Sequence, residues 1–218
     1  MRGELLPAMS TPLIERPAAF TALVARVQAC QRCPRMEGRT RVLGMGNGPL
    51  GARVLFVGEA PGRRGGDRTG VPFRGDQSGA RFEALLAAAG LRREAVFVTN
   101  AVLCNPRDAA GRNARPTAAE LAACSEHLRA QLALVDPAWV VALGRTALQA
   151  LGRLAAHRLQ LPRDVGRVVR WEGRWLVALY HPGPRARRWR SWAQQVADFQ
   201  RLGQLVATTA AGPGERPV

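Results

Sequence analysis

The chain has 218 residues, 47% of them hydrophobic and 22% charged. That balance excludes wholesale disorder and allows one domain able to bury roughly 70% of its extended surface. Its charge is lopsided, with 32 basic residues against 16 acidic ones for a net +16, and every basic residue is arginine because the sequence contains no lysine. A coding bias accounts for the missing lysine but not for the excess charge. An arginine-rich chain points to a polyanionic partner, since the planar guanidinium grips phosphate through paired hydrogen bonds. No run approaches the roughly 18 consecutive apolar residues of a membrane span. Met1 to Pro12 lack the charged start and apolar core of a secretory signal. The expectation is a cytoplasmic protein without a membrane partner, in which four cysteines read as ligands or buried thiols rather than disulfides.

Residues 1–18, rich in proline and small side chains, read as a loose leader. Phe20, Leu23, Val24 and Val27 recur at helical spacing from Pro17 to Cys30. Cys30-Gln-Arg-Cys33 closes that helix and Pro34 stops it. Val54 to Val57, ending in Gly58, reads as a buried strand. The glycine-rich segment Glu59 to Gly79 is too long for a simple connection and marks a functional loop. Arg81 to Ala89 is a predicted helix ended by Gly90, and Val96 to Thr99 a second buried strand. After a polar loop from Cys104 to Pro116, Thr117-Ala-Ala-Glu120 is a capping box opening a helix through Leu134. Trp139 to Leu143 is a third strand, followed by a helix from Arg145 to Leu154. Val168–Trp171 and Trp175–Tyr180 pair as a hairpin across Glu172-Gly173. Trp189 to Val206 is the last helix, and residues 207–218 read as a loose tail.

The alternation predicts a single domain over residues 19–206: a three-layer α/β/α fold around a central, mostly parallel four-stranded sheet. Ligands in such folds sit at the carboxyl ends of the strands, where Glu59, Asn100 and His181 each follow a strand. The cysteines are spaced C-x2-C, then 70 residues, then C-x19-C. A pair at a helix end and a pair flanking a loop can complete a four-thiolate site. Spacing leaves structural zinc and an iron–sulfur cluster both open.

Taken in order, Cys30-x2-Cys33, Gly58-Glu-Ala-Pro-Gly62, Gly70-Val-Pro-Phe73-Arg-Gly75, Thr99-Asn100-Ala-Val-x-Cys104, Cys124 and Tyr180-His181-Pro182 resemble the iron–sulfur uracil-DNA glycosylases, families four and five of that superfamily. The resemblance spans about residues 25–205. It implies a structural [4Fe–4S] cluster on Cys30, Cys33, Cys104 and Cys124 that pins the DNA-contacting loops. The motifs are mixed. Glu59 and Asn100 are similar to family four, whereas Asp67 to Gly79 is similar to family five. Gly65, Gly66 and Asp67 stand where family four carries a Glu-Asp pair, and His181-Pro182 is followed by Gly183 rather than a small hydroxyl residue. The histidine-bearing insertion of relatives that trap DNA covalently is absent after Cys104.

Cutting a base from its sugar needs a place for the flipped base, stabilisation of the departing anion, and support for the cationic sugar and its water. Phe73 is the candidate stacking platform. Asn100 can match the N3 and O4 edge of uracil, or else cap a turn. His181 can donate to O2, where charge accumulates, while His127 and His157 read as surface or packing residues in helices. Asp76 is the first candidate for handling the water, a role resembling the family-five arrangement; Glu59 is the rival carboxylate and Asp67 a weaker one. Asp76 can alternatively cap the following helix.

Main-chain amides from Glu59 through Ala60 to Gly62 can approach the base or a phosphate. Arg63, Arg64, Arg68, Ser78, Arg185, Arg187 and Arg188 are candidate phosphate contacts, with Trp189 or a neighbour entering the base stack. The expected function is therefore a monomeric DNA-repair glycosylase. It hydrolyses the N-glycosidic bond of uracil and leaves an abasic site. The alternatives are a broader deaminated-base glycosylase acting on hypoxanthine or xanthine, or a catalytically quiet DNA-binding module. With no lysine in the sequence, a lyase step through a lysine Schiff base is excluded.

Overall fold

The structure, a computed structural model, describes residues 14–209; residues 1–13 and 210–218, most of the expected leader and tail, lie outside the described residues. Five strands form one sheet: β1 (Val54–Gly58), β2 (Phe97–Asn100), β3 (Trp139–Leu143), β4 (Val168–Trp171) and β5 (Arg174–Leu179), in the order β2-β1-β3-β5-β4. The β1–β2, β1–β3 and β3–β5 pairs are parallel, and β4–β5 is antiparallel. The expected four-stranded count is thus low by one. The predicted hairpin adds β4 as an antiparallel edge, through a turn in which Glu172 (φ 49°) and Gly173 (φ 74°) both have positive φ, matching the strand twist.

Both faces of the sheet are covered, which is why the strands are apolar throughout instead of alternating. On β1, Leu55 and Val57 face Phe20 and Leu23 of α1 (Arg16–Gln28), Leu128 of α4 (Ala118–Val135) and Leu148 of α5 (Arg145–Leu154). Val54 and Phe56 face the other way, toward Phe82 of α3 (Gln77–Ala88) and Phe199 of α6 (Trp192–Thr208). Phe56 meets Phe82 edge-on at 5.3 Å and stacks on Phe199 at 6.1 Å. The chain leaves β1 toward the α3 face and leaves β3 toward the α5 face. The switch point therefore falls between β1 and β3, where doubly wound sheets open a crevice.

Helix boundaries differ where polar caps decide them. α3 starts four residues before Arg81 because the Asp76 side chain accepts a hydrogen bond from the Gly79 amide at 2.9 Å. α6 starts at Trp192 instead of Trp189 because Ser191 and Gln194 form a capping box, and Pro184–Arg188 is a separate 3-10 turn. α1 begins at Arg16, inside the expected leader, and α6 runs two residues into the expected tail. The long loop after β1 contains a one-turn helix, α2 (Gly66–Thr69). His157 lies beyond α5 and not within a helix, its Nε2 2.9 Å from the Leu148 carbonyl oxygen. Among the described residues no helix is long and apolar enough to cross a membrane.

A candidate base pocket and a cysteine-lined cavity

Gly58 is the last residue of β1 and pairs in register with Asn100 at the end of β2. A Cβ on Gly58 would lie 2.4 Å from Asn100 Oδ1 and 2.7 Å from the Phe73 ring. Only a glycine lets the amide and the aromatic ring meet across the strand end. Phe73 takes a left-handed conformation (φ 54°), a strained choice for a bulky residue. Its carbonyl is backed by Gly79, where a Cβ would sit 2.4 Å from Phe73 O. The Phe73 ring packs on Phe82 at 4.7 Å and on the His181 ring at 5.4 Å, so it is anchored in the core at one side and borders the pocket at the other. Asn100 is only 2% exposed, yet its side-chain amide makes no hydrogen bond to any described residue. Buried amides are almost always paired, so this one has both its donor and its acceptor free to meet a ligand.

His181 follows β5 and is partly buried. The Gly183 amide donates to its Nδ1 at 2.9 Å, which makes Nδ1 the acceptor and leaves the proton on Nε2. Burial pushes the His181 pKa below its ordinary 6.5, against the opposing pull of the Glu59 and Asp76 charges. The site thus holds a neutral imidazole presenting Nε2–H. Because the folded pKa is depressed, the unfolded chain takes up its proton first. Stability contributed by this group is present above about pH 6.5 and falls as the pH drops from there toward the folded value. The acid limb of activity is expected below pH 6.5. A pH–rate profile with a limb at or above that value, absent from a His181→Asn variant, contradicts the assignment.

Two carboxylates face this imidazole. Glu59 Oε2 accepts a hydrogen bond from the Thr146 hydroxyl at 2.5 Å, in the first turn of α5. Gly144 opens that turn with φ 96°, and a Cβ there would lie 3.4 Å from His181 Cβ. Asp76 uses Oδ1 to cap α3. Cβ atoms on Gly62 and Gly65 would come within 2.6 and 2.4 Å of its Oδ2. The carboxylate therefore lies against the bare turn after β1, close to the Gly62 and Gly65 main chain. Asp67 does something else. It is buried, receives the Arg107 guanidinium on Oδ2 at 2.6 Å and the Thr40 amide on Oδ1 at 3.1 Å, and locks loops together. The same lock continues through Asn105, which accepts from Arg107 and donates to the Pro61 carbonyl at 2.6 Å. Asn113 accepts the Arg63 amide. Thr146, Asn105 and Asn113 escape sequence reasoning because each acts on a residue far along the chain.

The rim is cationic. Arg63 and Arg68 are exposed on the loop after β1, Ser78 is half-buried in the first turn of α3, and Arg185, Arg187 and Arg188 are exposed on the 3-10 turn that follows His181. Trp189, at the end of that turn, is 70% exposed. Arg190 is held by Asp198 through two hydrogen bonds of 2.9 and 2.5 Å.

Cys30, Cys33, Cys104 and Cys124 all line one cavity of about 190 Å³, together with Arg32, Arg41 and His127. Among the described residues no three His, Cys, Asp or Glu side chains converge closely enough to hold a single ion. Arg41 donates twice to the Cys30 carbonyl, at 3.0 and 2.7 Å. Arg35 forks onto Glu120, in the first turn of the helix that carries Cys124. Burial pushes the Cys104 thiol up to about 11 and Cys124 up to about 12, so any metal bound there displaces protons. Cys104 stands four residues past Asn100 on the same strand exit.

Phe73, Asn100 and His181 gather an aromatic face, an amide and an imidazole N–H at the strand ends, and the arginine rim suits a polynucleotide; the class is that of the α/β enzymes acting on nucleic-acid bases. A family model described as the Uracil DNA glycosylase superfamily matches residues 45–203. The chain belongs to that superfamily. It is 37% identical over 158 residues to the type-4 uracil-DNA glycosylase of Thermotoga maritima, covering 72% of this chain and 78% of that protein. It is 35% identical over 190 residues to the type-4 enzyme of Archaeoglobus fulgidus, covering 84% and 91%. It is also 36% identical over 194 residues to the type-5 uracil-DNA glycosylase of Thermus thermophilus, covering 73% and 85%. Similarity to both types at near-equal identity accords with the mixed motifs.

Proposed function

We propose that this chain, as a cytoplasmic monomer, excises uracil from DNA and leaves an abasic site. The observation that carries the reading is the buried, unpaired amide of Asn100 beside Phe73 and the His181 Nε2–H. The flipped base stacks on Phe73, and Asn100 accepts from its N3–H and donates to O4. As the bond between the sugar C1′ and the base N1 breaks, its electron pair passes to uracil and accumulates at O2, where His181 donates a hydrogen bond. Neutral imidazole suffices, because a donor preorganised in a water-poor site stabilises the developing charge without itself giving up the proton. Water adds to C1′. Asp76 orients it and takes its proton with the oxygen not spent on the cap, while Glu59, steadied by Thr146, offsets the positive charge of the sugar.

The four cysteines would hold the [4Fe–4S] cluster. A cavity of about 190 Å³ bounded by all four suits a multi-atom cluster better than a lone zinc ion, whose four sulfurs would close to about 2.3 Å around it. When bound, the cluster supplies a cross-link between α1, the β2 exit and α4, and no chemistry at the base.

The test is base release from a labelled duplex with one U opposite G, alongside hypoxanthine and thymine substrates. It uses full-length protein whose visible absorbance reports an iron–sulfur cluster. Uracil release alone supports the reading; purine release widens the substrate range to other deaminated bases. Tight binding of abasic DNA without base release overturns the enzyme reading in favour of a quiet DNA-binding module.

A further inference from the structure

A half-buried cation with no acidic partner among the described residues lies where the first turns of α3 and α6 meet the Pro184–Arg188 turn. Ser78 and Arg81 are three apart on α3 and share a helix face. The turn approaches that face so closely that a Cβ on Gly183 would lie 3.3 Å from Ser78 Oγ. The Arg81 guanidinium sits 4.5 Å from the centre of the Trp192 ring, which fixes its place. Its Nε and Nη2 are shielded from solvent and have no hydrogen-bond partner, and no carboxylate of the described residues pairs with it. The charge that reaches it is Arg187: burial first, then that like charge, push the Arg81 pKa below the ordinary arginine value. Nearby Arg190, by contrast, has its own aspartate.

Two like charges held together, one of them with dry and unsatisfied donors, are unfavourable in the free protein. An anion seated between the two side chains neutralises both charges, accepting from Nη1 of Arg81, the nitrogen of that guanidinium that is not shielded, and from Arg187. We propose that Arg81 and Arg187 form a binding site for one phosphodiester of the DNA strand, beside the base pocket and distinct from it. This rests on the reading that DNA is the substrate. Arg187 belongs to the turn that directly follows His181, so the phosphate is one flanking the flipped nucleotide. Stacking on Trp192 holds the guanidinium in place before DNA arrives, which reduces the ordering that binding demands.

The experiment measures the salt dependence of binding to a uracil-containing duplex for the full-length protein and for Arg81→Met, Arg187→Met, the double variant and Arg81→Lys. Arg153→Met on α5 serves as a control for loss of one charge. Each phosphate neutralised contributes a slope of about 0.9 in log K against log salt. Both single methionine variants are expected to lose about one such unit and about ten-fold in affinity at low salt. The double variant should lose no more slope than either single one, because both arginines act on one phosphate. Arg81→Lys should keep the slope, and Arg153→Met should match wild type. In the free protein Arg81→Met should melt no lower than wild type, and sodium sulfate should raise the wild-type melting temperature more than the variant's.

Unchanged slopes in both single variants overturn the site. So does a lower melting temperature for Arg81→Met with its slope intact, which assigns Arg81 to packing on Trp192. If wild type binds with full slope but releases no uracil, the glycosylase reading falls while the phosphate site stands on its own slopes.

Discussion

Replacing His181 by alanine is expected to lower single-turnover uracil release by roughly 10² to 10³-fold and to leave DNA affinity within a few-fold of wild type. The imidazole supplies a hydrogen bond needed chiefly as the C1′–N1 bond breaks, so its loss raises the barrier more than it weakens the ground state. Its tautomer depends on the Gly183 amide, which occupies Nδ1. Residual activity therefore should not depend on the histidine pKa. A loss smaller than ten-fold, or one expressed wholly in KM, removes His181 from the departing base and leaves it a packing residue against Phe73.

The second large effect separates the two carboxylates. Asp76→Asn keeps the helix cap, since asparagine caps as well as aspartate, but removes the negative charge and the proton acceptor. Release is expected to fall by about 10² to 10⁴-fold with the melting temperature nearly unchanged. Asp76→Ala loses the cap as well, at about 1 kcal/mol, and should melt lower. Glu59→Gln keeps a partner for the Thr146 hydroxyl and should lower release less than Asp76→Asn does. If Glu59→Gln abolishes release while Asp76→Asn retains it, the roles are exchanged, and the Asp76 carboxylate is a cap alone.

Much of this architecture is legible in the chain because strands buried on both faces leave continuous Val, Leu and Phe runs. Val54–Val57, Val96–Thr99 and Trp139–Leu143 coincide with β1, β2 and β3 to within one residue. Hydrophobic spacing misplaces the starts of α3 and α6 because it says little about polar caps: the Asp76 cap, read from the sequence only as an alternative, sets the first, and Ser191 sets the second. Glu59, Asn100 and His181 fall at one edge of the sheet, as expected of residues at the ends of parallel strands. The sequence does not reveal that Thr146 reaches Glu59 from 87 residues away. Nor does it reveal that Asp67 is tied up with Arg107, because such pairings exist only once the sheet has assembled.

The glycines around the pocket also bear on how the enzyme can evolve. At Gly58, Gly62, Gly65 and Gly79, the smallest side chain any mutation can introduce would come within 2.4 to 2.6 Å of Asn100, Asp76 or the Phe73 carbonyl. Each such change displaces a side chain of the site or the main chain that aims one, so single-step variation there is expected to carry a cost in activity. New base preferences must arise at positions that already carry a side chain, such as Ala60. Lineages of this fold are then expected to differ in substrate through the few side chains at the rim while the glycine frame persists beneath them.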